Sequence, residues 1–347
     1  MVTTSHRSLA ALLGMAAGIT AFGLVGSAAH ASAIASDNAG NYTSGLSTGS
    51  TGGYGFGSWT VLASNDVGSP TGPYAGNYYA GPSSTKPIAT SGNQWSVYAN
   101  TGTATATPRE DLFRPFNNAL ASGRTFSAAL ESDSVGSDVY GYSATNGTPA
   151  TYHQNGLPAY GFSLQTGSAA AVTAGTTAMS VANPFASPAS SASYNAGSFT
   201  NPNAVFTFSL TELGPGETLN GQSNPDTTTS GGYVMETNIT DATGTHSTLS
   251  GLTAAQIGGG VTAAFSLGSG GAYTLTLSSV GATPTVLDTY TGTVSGAING
   301  VDLFDQATAS NGYFNSLAIT AVPEPATMAL FIAAGAGLLL VRRRRAV

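Results

Sequence analysis

Ala272-Tyr273-Thr274-Leu275-Thr276-Leu277 alternates apolar and polar residues almost strictly. Successive side chains of a strand point to opposite faces, so this pattern belongs to an antiparallel strand with one face buried and one wet. Comparable runs lie on either side of it, at 58–62, 95–100, 125–130, 160–165, 204–210, 233–240, 262–267, 285–290 and 313–320. Turn signals separate them: Asn146-Gly147, Gly214-Pro215-Gly216, Asn299-Gly300 and Asn311-Gly312. Two stretches invite a helical reading. Residues 111–121 follow Pro108 and precede Gly123, which allows one or two helical turns, and 252–257 reads as a short turn of helix. Many short strands, Gly-rich turns and almost no helix predict an all-β domain, a β-sandwich of jelly-roll type.

Composition agrees. The chain has 347 residues, 46 of them Gly, only 7% charged residues and no Cys. A disulfide framework and a thiolate metal site are excluded. Leu, Glu, Lys and Arg are too scarce for a helical bundle. Lys and Arg total nine, and four of these are the run Arg342, Arg343, Arg344 and Arg345. Nucleic-acid binding rests on many cation–phosphate contacts, so no nucleic-acid partner is expected. Between residues 32 and 321 four basic residues face 15 acidic ones, a net of −11. Such an acidic surface gives no reason to expect binding to anionic lipid.

The two ends read as addresses. His6 and Arg7 precede an apolar run at 8–26, and Ala29-His30-Ala31 offers small residues at −3 and −1. This predicts a signal peptide over 1–31, cut by signal peptidase between Ala31 and Ser32. At the other end Val322-Pro323-Glu324-Pro325-Ala326 precedes an apolar stretch at 327–341 and then the four arginines. As a helix the apolar stretch would span about 22 Å, less than a hydrocarbon core of about 30 Å, so it crosses only with snorkelling flanks or a thinned bilayer. The arginines would hold the C-terminus in the cytoplasm. Pro323 and Pro325 keep the segment before the helix extended and out of any sheet.

Pro323-Glu324-Pro325, the short helix and the basic tail together resemble the PEP-CTERM sorting signal of Gram-negative bacteria, over residues 322–347. The resemblance implies that an exosortase recognises Pro323, Glu324 and Pro325 and removes the tail. The protein is then expected at the cell surface or in the exopolysaccharide matrix, transiently membrane-anchored on the way. The reading divides the chain into a signal peptide, a flexible lead-in at 32–53, a passenger domain at 54–320 with an Ala/Ser/Thr-rich insertion at 166–198, and the sorting signal at 321–347.

The passenger carries a weaker resemblance. Gly55-Phe56-Gly57-Ser58-Trp59, Gln94-Trp95-Ser96-Val97-Tyr98-Ala99-Asn100, Arg114-Pro115-Phe116, 120–127, Tyr160-Gly161-Phe162-Ser163-Leu164-Gln165 and Tyr313-Phe314-Asn315-Ser316-Leu317 follow an order. That order is similar to PEP-CTERM passenger domains with a concanavalin A-like lectin/glucanase sandwich. Glucanases of that architecture use Glu-x-Asp-x-(x)-Glu on one strand. Glu131-Ser132-Asp133 is the nearest match here, and no second Glu follows. The catalytic expectation is therefore none: the protein is read as a structural or adhesive surface component rather than an enzyme, with a secreted glycan-active hydrolase as the alternative.

Other chemistry is thin. Glu131, Asp133 and Asp138 have oxygen ligands suited to Ca²⁺, as do Asp302 and Asp305, but a solvated acidic edge that discourages sheet aggregation is the better reading of both groups. No other cofactor is expected. His153 and His246 lie far apart and lack Cys partners for zinc. No Gly-x-Ser-x-Gly elbow or phosphate loop is present. Tyr74, Tyr78 and Tyr79 cluster in a Gly/Pro-rich loop and are the candidates for glycan contact, with extracellular polysaccharide as the expected ligand. Tyr140 and Tyr142 lie by the acidic turn. Trp59, Trp95, Phe126, Phe162, Phe206, Phe208 and Phe314 fall inside strand runs and are expected in the core. Arg114 is expected to pair with Glu110 or Asp111 in a structural salt bridge.

Overall fold

The computed structural model describes residues 32–64, 74–80, 87–100, 109–132, 159–167, 203–213, 218–219, 222–223, 234–306 and 311–321. The chain divides into a body, Ala33–Ala321, and a second unit made of Met1–Ser32 and Val322–Val347. The signal peptide, the apolar tail, most of the 166–198 stretch, and Asp133, Asp138, Tyr140, Tyr142 and His153 lie outside the described residues. Among the described residues no helix is long and apolar enough to cross a membrane.

The body is built from two antiparallel sheets. Its strands are β1 (Ala33–Asp37), β2 (Thr60–Ser64), β3 (Tyr74–Ala80), β4 (Gln94–Asn100), β5 (Arg109–Pro115), β6 (Arg124–Ser132), β7 (Ala159–Gln165), β8 (Ala204–Leu213), β9 (Thr218–Leu219), β10 (Gln222–Ser223), β11 (Val234–Asp241), β12 (Gly244–Leu249), β13 (Val261–Leu267), β14 (Ala272–Ser279), β15 (Val286–Thr293), β16 (Gly300–Gln306) and β17 (Asn311–Ala321). The first sheet runs β15-β14-β13-β6-β17-β4-β3, with β1 also paired to β17. The second runs β12-β11-β8-β7-β16-β5-β2, and β9 and β10 form a small separate hairpin.

The inward rows of both sheets make one core. In β14, Tyr273, Leu275 and Leu277 are buried while Thr274 and Thr276 are half-buried, as the alternation requires. Aromatic rings bridge the sheets. Phe126 of β6 meets Phe162 of β7 at 5.5 Å, and Phe265 of β13 meets Phe206 of β8 at 4.7 Å. Trp59 and Trp95 meet edge-on at 5.3 Å. Each buried aromatic or aliphatic side chain contributes about 1.5–3 kcal/mol. Backbones also approach closely. A Cβ on Gly161 of β7 would stand 2.0 Å from the Phe208 carbonyl oxygen of β8, so only glycine fits there.

Three expectations are corrected. Residues 111–121 hold no helix: β5 takes the first part because Leu112 points into the core while Phe113 points out, a period of two. Residues 33–53 are no flexible lead-in. Ala33–Asp37 pairs with β17, and a 3₁₀ turn at Ala39–Asn41 follows, capped by the Asn38 side chain. Arg114 pairs with neither Glu110 nor Asp111. It bonds Asp37 of β1 instead, because Asp111 leaves β5 on the opposite face and Glu110 accepts from Asn77. The Tyr42 phenol lies against the same pair, and burial together with its bond to Asp37 pushes it up to about 12. The short helix expected at 252–257 is present as α1 (Ala254–Gly258), opened by a Thr253/Gln256 capping box.

Candidate functional site

Two polar faces deserve comparison, one on the outside of each sheet. In the first sheet the core rows take Trp95, Val97 and Ala99 of β4, so Gln94, Ser96 and Tyr98 turn outward. Register then aligns two outward rows. Tyr78 of β3, Ser96 of β4, Tyr313 of β17 and Glu131 of β6 form one. Gly76, Tyr98 and Asn311 form the next.

Asn311 ties the rows together: its Nδ2 donates to the Tyr78 hydroxyl at 3.0 Å and to the Tyr313 hydroxyl at 3.3 Å. The Tyr78 and Tyr98 rings lie 6.0 Å apart, tilted by 43°. Gly76 makes room for this, since a Cβ there would meet the Tyr98 hydroxyl at 2.6 Å. Tyr78 is 40% exposed and Tyr98 half-buried, whereas Tyr313 forms the floor. The buried Ser96 hydroxyl and both polar atoms of the buried Gln94 amide, on this same face, have no hydrogen-bond partner. Buried orphans of this kind are rare in folded proteins.

The tyrosines expected in a loop lie instead on strand β3, paired with β4, and the alternation of that strand separates them. Tyr78 sits on the outer face, and Tyr79 turns inward to pack against the core. Tyr74 opens β3, paired with Asn100 of β4. Sequence reasoning missed Tyr98 and Asn311. Alternation within 94–100 was the available signal for Tyr98; Asn311 read with Gly312 as a turn signal, whereas it is the first residue of β17.

The outer face of the second sheet carries charge. Arg109 donates from Nη2 to Asp111 at 2.6 Å and from Nε to both carboxylate oxygens of Asp111, with its guanidinium 4.3 Å from the Phe304 ring centre. Asp302 of β16 lies beside this pair, 3.7 Å from Arg109, and accepts from Gln165 at 3.2 Å. All of these side chains are buried. Burial first, and then the charge of Asp111, holds the Asp302 carboxyl well above the usual carboxylate range; Arg109 only partly offsets this. For Arg109 the sum runs the other way: burial lowers its pKa, but Asp111, Asp302 and Asp305 raise it further.

The acidic groups expected at a solvated edge are not there. Glu131, Asp302 and Asp305 are all buried, because β6 and β16 are interior strands of their sheets. Asp305 points inward and accepts from the Gly312 backbone N–H at 2.8 Å. Among the described residues no group of three His, Asp or Glu side chains could hold a metal ion. His246 is exposed, 3.6 Å from Asp241. Two bonds from Thr243 and one from Tyr273 outweigh burial there and lower the Asp241 pKa. Of the glycan, calcium and sorting candidates, Asp133, Asp138, Pro323, Glu324, Pro325, Ala29, Ala31 and the arginines lie outside the described residues; Ser32 is described and exposed.

No protein-family model matches the chain, and neither does any curated protein. Several solved structures overlap it loosely. The carbohydrate esterase of the Shiga toxin-encoding bacteriophage phi24B is 13% identical, with a TM-score of 0.35 over 84% of this chain and 99% of that one. The globular domain of T. cruzi calreticulin is 8% identical, with a TM-score of 0.34 over 76% and 84%. The endo-β-1,4-glucuronan lyase of the fungus Trichoderma reesei is 8% identical, with a TM-score of 0.32 over 75% and 94%. Overlap at this level fixes neither a fold family nor an activity.

Proposed function

We propose that this chain is an exported β-sandwich of the jelly-roll, concanavalin A-like kind, sorted to the cell surface or exopolysaccharide matrix as a structural or adhesive protein. In this reading signal peptidase cuts before Ser32, and an exosortase acts at Pro323-Glu324-Pro325 while the 327–341 helix and its four arginines hold the membrane. The observation that supports it most is where the strands of the body begin and end among the described residues. The first strand begins at Ala33, one residue after the expected cut, and the last ends at Ala321, two residues before Pro323. Ala33 pairs with Thr320, so both processing points leave the body at the same end of β17. A tightly hydrogen-bonded strand is a poor substrate for a processing enzyme, and both expected cuts fall just outside one.

A non-enzymatic role fits the carboxyl groups better than the hydrolase alternative. Glycosidase pairs stand about 5–9.5 Å apart, with room for the scissile bond or a water. Asp111 and Asp302 are instead both buried around one guanidinium, that of Arg109, an arrangement that holds two strands together.

The test is the intact mass of the protein recovered from the surface fraction, with and without the host's processing enzyme. A mature form running from Ser32 to near Pro325 is expected, retained to Val347 when the enzyme is missing. A mass that runs through Val347 in both strains would replace sorting by a permanent anchor.

A further inference from the structure

The geometry points to the outer face of β3, β4 and β17 as a binding platform for a neutral polysaccharide, with the Tyr78 and Tyr98 rings as stacking surfaces and Asn311 as the residue that sets them. The surface-protein reading only says where such a ligand is met; binding itself stands on three observations of the folded body.

The first is aromatic. Tyr78 is among the few large hydrophobic side chains exposed on the described body, and it is paired at 6.0 Å with a second tyrosine rather than scattered alone. Tyrosine presents a large, nearly rigid contact area at small entropic cost, which is why exposed rings concentrate at recognition surfaces. The C–H face of a pyranose ring is apolar and fits such a ring.

The second is positional. The rings are held by the fold: Asn311 fixes the Tyr78 hydroxyl from the neighbouring row, and Gly76 leaves the space into which the Tyr98 hydroxyl extends. A platform fixed before binding loses little freedom when a ligand arrives.

The third is chemical. The side chains that this face presents at the surface are neutral: the Tyr78 and Tyr98 phenols can exchange hydrogen bonds with a hydroxyl-rich ligand or the water it carries, whereas Ser96 and Gln94 on the same face are sealed from it. Among the described residues these rows contain no cation, while Glu131 ends one of them. An anionic chain would find no counter-ion there, so the ligand assigned is uncharged.

The experiment is affinity electrophoresis of the purified body through gels containing barley β-glucan, a cellulose ether, galactomannan or dextran, with polygalacturonate as the acidic probe. Retardation in at least one neutral gel and none in polygalacturonate is expected. Tyr78→Ala and Tyr98→Ala should each weaken the retarding affinity at least tenfold with the melting temperature unchanged. Thr291→Ala, on β15 at the other edge of the same sheet, should leave it as it was. Asn311→Ala should weaken binding less than either tyrosine variant, because it only positions them. Absence of retardation in every neutral gel, retardation by polygalacturonate instead, or retardation untouched by both tyrosine variants would each overturn the platform. None of these outcomes bears on the mass test, so the two readings fail separately.

Discussion

Arg114 donates from Nη1 to Oδ2 of Asp37 at 2.6 Å, and both side chains are sealed from solvent. The same guanidinium donates to the Gly52 carbonyl and lies against Trp59, its carbon 4.8 Å from the ring centre. Asp37 also accepts from Asn41 and Tyr42. A strand of the first sheet is thus joined to β5 of the second through a charge pair inside the core.

Cutting one partner of that pair strands the other. Asp37→Ala should lower unfolding free energy by about 3–5 kcal/mol, because a buried guanidinium loses its counter-charge. The double variant Asp37→Leu with Arg114→Met should recover much of the loss. Urea unfolding of the three proteins measures both; equal loss in the single and double variants would mean that the charge pair is not the source.

Asp302 should make the body less stable as pH rises. Its native pKa is held above the unfolded value of about 3.9, so between the two the native state keeps a proton that the unfolded chain has released. The contribution is fully present below about pH 4 and is lost as pH climbs through the raised native value. The charged groups facing it are Asp111, Arg109 and Glu110. Asp302→Asn keeps a polar side chain at the site without a titrating proton, and it should flatten that part of a melting-temperature profile. A profile identical to that of the parent would remove Asp302 as its cause.

Asn315 should be among the costliest polar residues to lose. At the irregular step in β17 its Oδ1 accepts from the Ala39 and Ser316 backbones, and its Nδ2 donates to the carbonyls of Ile88 and Asn93. Asn315→Ala leaves several buried backbone groups unsatisfied, at about 1–3 kcal/mol each before relaxation. A combined loss of about 3 kcal/mol or more in chemical denaturation is expected, against about 0.5 kcal/mol for Ser316→Ala on the exposed side of the same step.

How much of this was legible follows from where the polar residues went. Strands such as β13 and β14 announce themselves because one face is buried and the other is wet. β5 and β16 do not, because Arg109-Glu110-Asp111 and Asp302 to Asp305 are buried on both faces and their charges hide the alternation. Arg114 could be marked as a buried ion-pair residue from sequence, but Asp37 could not be marked as its partner, since the two lie 77 positions apart. The tyrosine platform failed in the same way. Tyr78 was visible in its Gly/Pro-rich stretch, yet Asn311 reaches it across 233 residues, and only the strand order β3-β4-β17 brings them together.

The pairing of β1 with β17 also sets a clock. A chain made from its N-terminus has Ala33–Asp37 ready first, and the strand it needs is completed last. Loop closure over almost the whole body must precede that contact, a non-local pairing that slows folding even though its entropic cost rises only with the logarithm of the loop length. The first sheet, with β17 between β6 and β4, therefore cannot be complete until that final strand has emerged.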